Sequence, residues 1–123
     1  MFRSLAVVAL FLGGPVHAQE FMDDPSKCAL LKADDRIGAV ADGAMILHAT
    51  GMDSIEYYCE FSPAIAFDWS GDAETQTRLG FCEEPGPFVF PTLFAFRMYG
   101  SEPGRVYVHA DQTGEGRAFT LCD

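Results

Sequence analysis

Any chemistry in this 123-residue chain beyond its first eighteen residues has to come from a short set of side chains. These are Cys28, Cys59, Cys82 and Cys122, the imidazoles of His48 and His109, and the acid pairs Asp23-Asp24, Asp34-Asp35 and Glu83-Glu84. The cysteines lie 31, 23 and 40 residues apart. Structural zinc wants close pairs such as C-x₂-C, and a redox couple wants Cys-X-X-Cys, so neither fits this spacing. An even number without metal spacing reads as two disulfides. A hairpin about Ser70-Gly71 pairs Cys59 with Cys82 and leaves Cys28 with Cys122. Pro63 interrupts the regularity of that hairpin, so the sequential pattern, 28 with 59 and 82 with 122, stands beside it.

The remaining candidates name no reaction. A catalytic imidazole needs a base, nucleophile or carboxylate within hydrogen-bond reach, and nothing in the linear order supplies one for His48 or His109. Ser54, Ser62, Ser70 and Ser101 sit in no Gly-X-Ser-X-Gly setting. The acid pairs do not continue into the regular oxygen offsets of a calcium loop, and they read as turn and surface acids. Gly114-Glu115-Gly116 reads as a hairpin turn and not as a phosphate cradle. No catalytic, cofactor or metal residue is therefore assigned. An envelope enzyme working through Glu83, Glu84 and His109 on a wall or carbohydrate substrate is the alternative, and it requires that acid and imidazole share a cleft.

Aromatic side chains offer binding instead. Neighbours on a strand face opposite ways, so one of Tyr57 and Tyr58 points outward, and Trp69 beside Ser70-Gly71 stands next to a turn. Trp69, Tyr58, Arg97 and Tyr99 are the candidate interaction surface, an aromatic set in an acidic protein that suits a protein interface or a sugar face.

Residues 1–18 decide where these groups operate. One basic residue, Arg3, precedes the apolar run Leu5–Leu12, then Gly13-Gly14-Pro15 and the small-residue end Val16-His17-Ala18. This is the order of a secretory signal peptide. Eight strongly apolar residues rise only about 12 Å as a helix against a hydrocarbon core of ~30 Å, so no membrane insertion is expected after cleavage. The exported chain is residues 19–123, periplasmic or secreted, in a compartment where disulfides persist.

The whole chain carries 8 Lys+Arg against 18 Asp+Glu, a net charge of −10. Loss of Arg3 with the leader leaves 7 basic residues against 18 acidic ones, a net charge of −11. Nucleic acid is excluded as a partner, because its binding draws on a basic stripe that is absent. A basic protein or envelope component is favoured by charge. Hydrophobic content of 49% places the chain among folded proteins.

The elements that must position these residues read as a single mostly β domain, with residues 19–26 flexible. Asp24-Pro25 caps a short helix over Lys27–Lys32. From Ala44 onward six short β-type runs alternate with turn chemistry: 44–49, 54–61, 75–82, 88–99 broken at Pro91, 105–109 and 117–122. Val106 and Val108 share one face against Arg105, Tyr107 and His109. Phe88, Phe90, Phe94, Phe96 and Met98 share a core-facing parity opposite Arg97 and Tyr99. Six strands at close spacing give a small antiparallel barrel or sandwich with a short N-terminal helix and two disulfides.

Such a small, exported, disulfide-stapled acidic β-domain resembles the bacterial periplasmic inhibitors of lysozyme in compartment and architecture. The Ser-Gly loop with a following Tyr that those inhibitors use is matched only by Ser70-Gly71-Asp72-Ala73-Glu74, which lacks the Tyr, so no residue role is carried over. The expectation is a non-enzymatic binding or interaction module without a cofactor. The enzyme above is one alternative, and an accessory subunit of an envelope assembly is another.

Overall fold

The computed structural model describes residues 18–86, 88–111 and 116–123. The signal-peptide segment lies outside them apart from Ala18, as does the Gly114-Glu115 part of the expected glycine turn. Eight antiparallel strands form one closed barrel in chain order: β1 (Phe21–Met22), β2 (Ile46–His48), β3 (Gly51–Ser54), β4 (Tyr57–Ser62), β5 (Ala73–Glu84), β6 (Phe88–Tyr99), β7 (Arg105–Ala110) and β8 (Gly116–Leu121). The barrel alternative is the correct one, with eight strands in place of six. Closure removes the sheet edges that a sandwich leaves open.

The two additional strands come from identifiable places. The run read as one strand over 54–61 is split by a turn at Ile55-Glu56, where Glu56 takes a φ of 57°. Its first residue ends β3, whose other residues Gly51, Met52 and Asp53 fall in the segment 50–53 read as a turn between runs, and its remainder forms β4. The other is β1, inside the segment 19–26 expected to be flexible. Phe21 and Met22 are fully buried there, the closing rung with Leu47 and Ile46 on one side and Leu121 and Thr120 on the other. Two large apolar residues outweigh the acids around them.

Alternation sorts the side chains as the sequence pattern implies. Phe94, Phe96 and Met98 of β6, Val106 and Val108 of β7, and Phe119 of β8 face inward and are buried, together with Met52 and Phe61. Phe88 shares their parity yet is exposed, because it lies at the barrel end. β6 is not broken at Pro91. The β6–β7 register ends at Phe94↔Ala110, so Pro91 lies past the point where a ladder amide to β7 is needed. Gly80 on β5 lets the backbones of β4 and β5 approach closely, since a Cβ there would collide with the Glu60 carbonyl.

Between β1 and β2 the chain makes two short helices outside the barrel. Asp24 caps a 3₁₀ turn over Pro25–Lys27, accepting from the Ser26 amide at 3.1 Å, and α1 (Cys28–Lys32) follows. A second helix, α2 (Arg36–Val40), was not expected from its short sequence. It starts on the side chain of Asp35, which accepts from the Gly38 amide at 2.9 Å. Together they cover the outward faces of β1 and β2 through Met22, Ala39, Val40 and Ile46.

The disulfides are Cys28–Cys122 and Cys59–Cys82, the first of the two open connectivities. Cys59 stands directly opposite Cys82 in the β4–β5 register. The Ser70-Gly71 turn that suggested it is no tight hairpin, because β4 ends at Ser62, opposite Leu79, and a loop intervenes before β5 begins at Ala73. With sequence separations of 94 and 23 residues, the chain-entropy account assigns about 4–5 and 3 kcal/mol to the two bridges.

Candidate functional site

In an up-and-down barrel successive connections alternate between the two ends, and here the ends are finished differently. One end, the base, carries the β2–β3, β4–β5 and β6–β7 connections. The β4–β5 loop lies across it and seals it. Ile65 is buried in the core cluster, with its amide on the Ala49 carbonyl at 2.7 Å. Arg78 and Gln76, on the inward parity of β5, hold the loop from below. Arg78 donates from Nε to the Pro63 carbonyl at 2.7 Å and from Nη2 to the Ala64 carbonyl at 3.2 Å. Gln76 forms a two-way clamp on Ala66, donating to its carbonyl at 2.6 Å and accepting from its amide at 3.1 Å.

Trp69 belongs to this closure. Its ring packs with Phe67 and Phe21, at 6.4 and 6.0 Å between centroids, and its indole N–H donates to the Arg105 carbonyl at 2.8 Å. Of the expected interaction residues, Tyr58 stands apart from the other three, which lie toward the base. Trp69 is half-buried at the base. Arg97 and Tyr99 lie on the outer face of β6, where Tyr99 meets Tyr107 edge-on at 5.8 Å. Tyr58 is exposed on the outer face of β4 near the opposite end, its hydroxyl donating to Glu83. That bond holds the Tyr58 hydroxyl above the usual tyrosine range. Tyr57, its neighbour, points inward, so the pair divides between faces as strand geometry requires.

The other end, the mouth, is left as a cavity of about 580 Å³. Met45, Met52, Val108 and Phe119, all buried, supply its apolar lining, and Tyr57, Ser54, Glu84 and Arg117 supply polar groups. Ser54 Oγ donates to the Ala44 carbonyl at 2.9 Å. Arg117 reaches Asp23 at 3.2 Å, and Asp23 also accepts from the Met45 amide at 2.8 Å. The Tyr57 hydroxyl lies 3.4 Å from Cys59 Sγ. Burial, reinforced by the negative charge of Glu84, pushes its pKa up. The sequence reading did not find this site. Its lining comes from five strands and the segment before β2, and the one local signal was the inward parity of Val108.

Glu83, Glu84 and His109 do not assemble. Glu83 is engaged by Tyr58, Glu84 is exposed at the mouth, and His109 is exposed on the outer face of β7. Among the described residues no hydrogen bond or ion pair joins His109 to either acid.

The imidazole that meets a carboxylate is His48. Its Nε2 lies 3.2 Å from Asp53 Oδ2, and its Nδ1 lies 3.3 Å from the Thr50 hydroxyl and 3.4 Å from the Thr50 amide. The β2–β3 register sets this up, with His48 opposite Gly51 and Asp53 opposite Ile46. The His48 bond, helped by Arg36 at 3.6 Å, lowers the Asp53 pKa. Hydroxyl, imidazole and carboxylate stand in the order a hydrolase uses. Here the turn amide converges on the same ring nitrogen, so the contacts close the hairpin. Reading 44–49 as a strand without its partner concealed the pair.

Among the described residues no group of three or more His, Cys, Asp or Glu side chains gathers as a metal site, and no helix is long and apolar enough to cross a membrane.

Fold and site together define the chain as a small closed antiparallel barrel, stapled by two disulfides, with a sealed base and a cavity at the mouth. No family model matches it, and no match is found among curated proteins or solved structures.

Proposed function

We propose that the protein is an exported, non-enzymatic binding module and that its site is the barrel mouth, which takes the compact apolar part of a small ligand. The observation that carries this reading is the difference between the two ends. The chain uses a loop, two polar side chains and a tryptophan to seal the base, whereas the mouth keeps a cavity with an apolar floor of Met45, Met52, Val108 and Phe119 and polar groups beside it. Eight-stranded barrels are wide enough to hold one small ligand, and about 580 Å³ lies within the range of small-molecule sites. The leader-like segment 1–18 and the two disulfides support export to an oxidising compartment.

The test is calorimetric titration of the oxidised protein with neutral, compact apolar probes, starting with 1-naphthalenemethanol. Saturable one-to-one binding is expected, weakened at least tenfold by Ala110→Phe, which narrows the mouth. Absence of binding across the probes, or unchanged affinity in a folded A110F variant, would overturn the reading.

A second reading has its own observation. Leu79, Val89 and Leu93 are 74%, 52% and 45% exposed on the outer face of β5 and β6, with Leu79 opposite Leu93 in the register. Tyr58, Glu60 and Glu83 flank them on β4 and β5. An apolar strip with an acidic margin on a protein of net charge −10 suits a basic protein partner.

A further inference from the structure

Four polar groups face the mouth cavity, and they are not equally committed. The Ser54 hydroxyl is spent on the Ala44 carbonyl, and the Tyr57 hydroxyl is directed at Cys59 Sγ. The guanidinium of Arg117 is paired with Asp23, a carboxylate only 16% exposed that also accepts the Met45 amide. The positive charge on the rim is thus partly balanced within the protein. Glu84 differs: among the described residues its carboxylate has neither a hydrogen bond nor an ion pair. It is close enough to Tyr57 for its charge to be felt at the phenol.

Resting on the mouth-cavity reading above, we propose that the ligand is a cationic amphiphile, with a compact apolar body in the cavity and an ammonium or similar positive head at Glu84. The chemistry of the two parts is complementary. Met45, Met52, Val108 and Phe119 offer no hydrogen-bond partner to a polar body, so the part of the ligand that packs against them is hydrocarbon or aromatic. The uncommitted group at the rim is an anion, so the head that gains most there is a cation able to donate to it. Tyr57 places an aromatic ring in the same cavity, a second favourable neighbour for a positive group. An anionic head would meet Glu84 unscreened, and at Arg117 it would share a guanidinium already paired through Nη1 with Asp23. The net charge of −10 attracts cations toward the whole molecule before any contact is made.

The experiment uses three probes with one apolar body: 1-naphthylmethylammonium, 1-naphthalenemethanol and 1-naphthoate, titrated into the oxidised protein at low salt. The ammonium is expected to bind about five- to tenfold more tightly than the alcohol, and the naphthoate more weakly than either. In Glu84→Gln the ammonium-to-alcohol ratio is expected to fall below twofold. Glu60→Gln removes the same charge from the outer face of β4 and is expected to keep the preference, which separates a site at Glu84 from the general field. Equal affinities for ammonium and alcohol overturn the cationic head and leave the cavity standing. An equal loss of preference in E60Q and E84Q overturns the role of Glu84. Failure of all three probes to bind removes the mouth-cavity reading and this inference with it.

Discussion

The seal at the base makes a quantitative claim about Arg78. Its guanidinium holds two loop carbonyls, Pro63 at 2.7 Å and Ala64 at 3.2 Å, and also reaches the Thr77 carbonyl at 2.8 Å and Gln76 Oε1 at 3.2 Å. Arg78→Met keeps most of the aliphatic stem and deletes the donors. The Thr77 contact is to its own chain neighbour and vanishes without leaving the loop adrift, so the cost rests on the two loop carbonyls. Hydrogen bonds from a charged group contribute roughly 1.5–3 kcal/mol net, and this side chain is only half-buried, so the lower figure applies to each. The expected loss is about 2–3 kcal/mol. For a domain near 100 residues this lowers Tm by roughly 10–20 °C. Thermal unfolding followed by circular dichroism, with both disulfides intact, measures it. Amide exchange locates it, because the Ile65 amide is bonded across the base to Ala49 and should lose protection more than the β6 amides do. Arg78→Lys keeps the charge but not the fork, and should recover less than half of the loss. An R78M protein within about 0.5 kcal/mol of the parent, with Ile65 still protected, would show that the loop seals the base without Arg78, through the Gln76 clamp and Ile65, Phe67 and Trp69.

Two further expectations concern the outer surface. The Asp53 carboxyl, lowered by its bond to His48, contributes stability that is complete above the unfolded-state value of about 3.9 and is lost as pH falls through the folded value. Denaturant unfolding from pH 6 to pH 3 should therefore fall less steeply below pH ~4 in Asp53→Asn than in the parent; parallel curves would mean that the exposed side of the pair is fully screened. For the protein-partner reading, Leu79→Ser with Leu93→Ser should change stability by less than about 1 kcal/mol, since both side chains are exposed. The same variant should release partners from the host's envelope fraction that the parent retains at about 0.5 M salt, where charge alone is screened; retention of the same set by both proteins refutes the strip.

What could be read from the sequence, and what could not, follows from the range of each interaction. The parity of β7, with Val106 and Val108 against Tyr107 and His109, is a property of five adjacent residues and survived intact. So did Phe94, Phe96 and Met98 as core, and the Asp24-Pro25 start of the first helical turn. β1 was lost because two residues make no periodic signal. Phe21 and Met22 become a strand only when Leu47 and Leu121 stand on either side. The turn at Ile55-Glu56 was lost because it has none of the Gly, Asn or Pro chemistry that marks a turn; Glu56 accepts a positive φ under the pressure of closing β3 onto β4. The same distinction decides the site. His48 and Asp53 lie five residues apart, and a correct hairpin register alone would have exposed them. The mouth cavity draws Met45, Met52, Val108 and Phe119 from separate turns of the barrel. No local pattern contains it, and a closed sheet with a plug at one end is sufficient to create it. On the proposed reading, the mouth is the place where a ligand completes the core, and the charges on that rim would select the head group it carries.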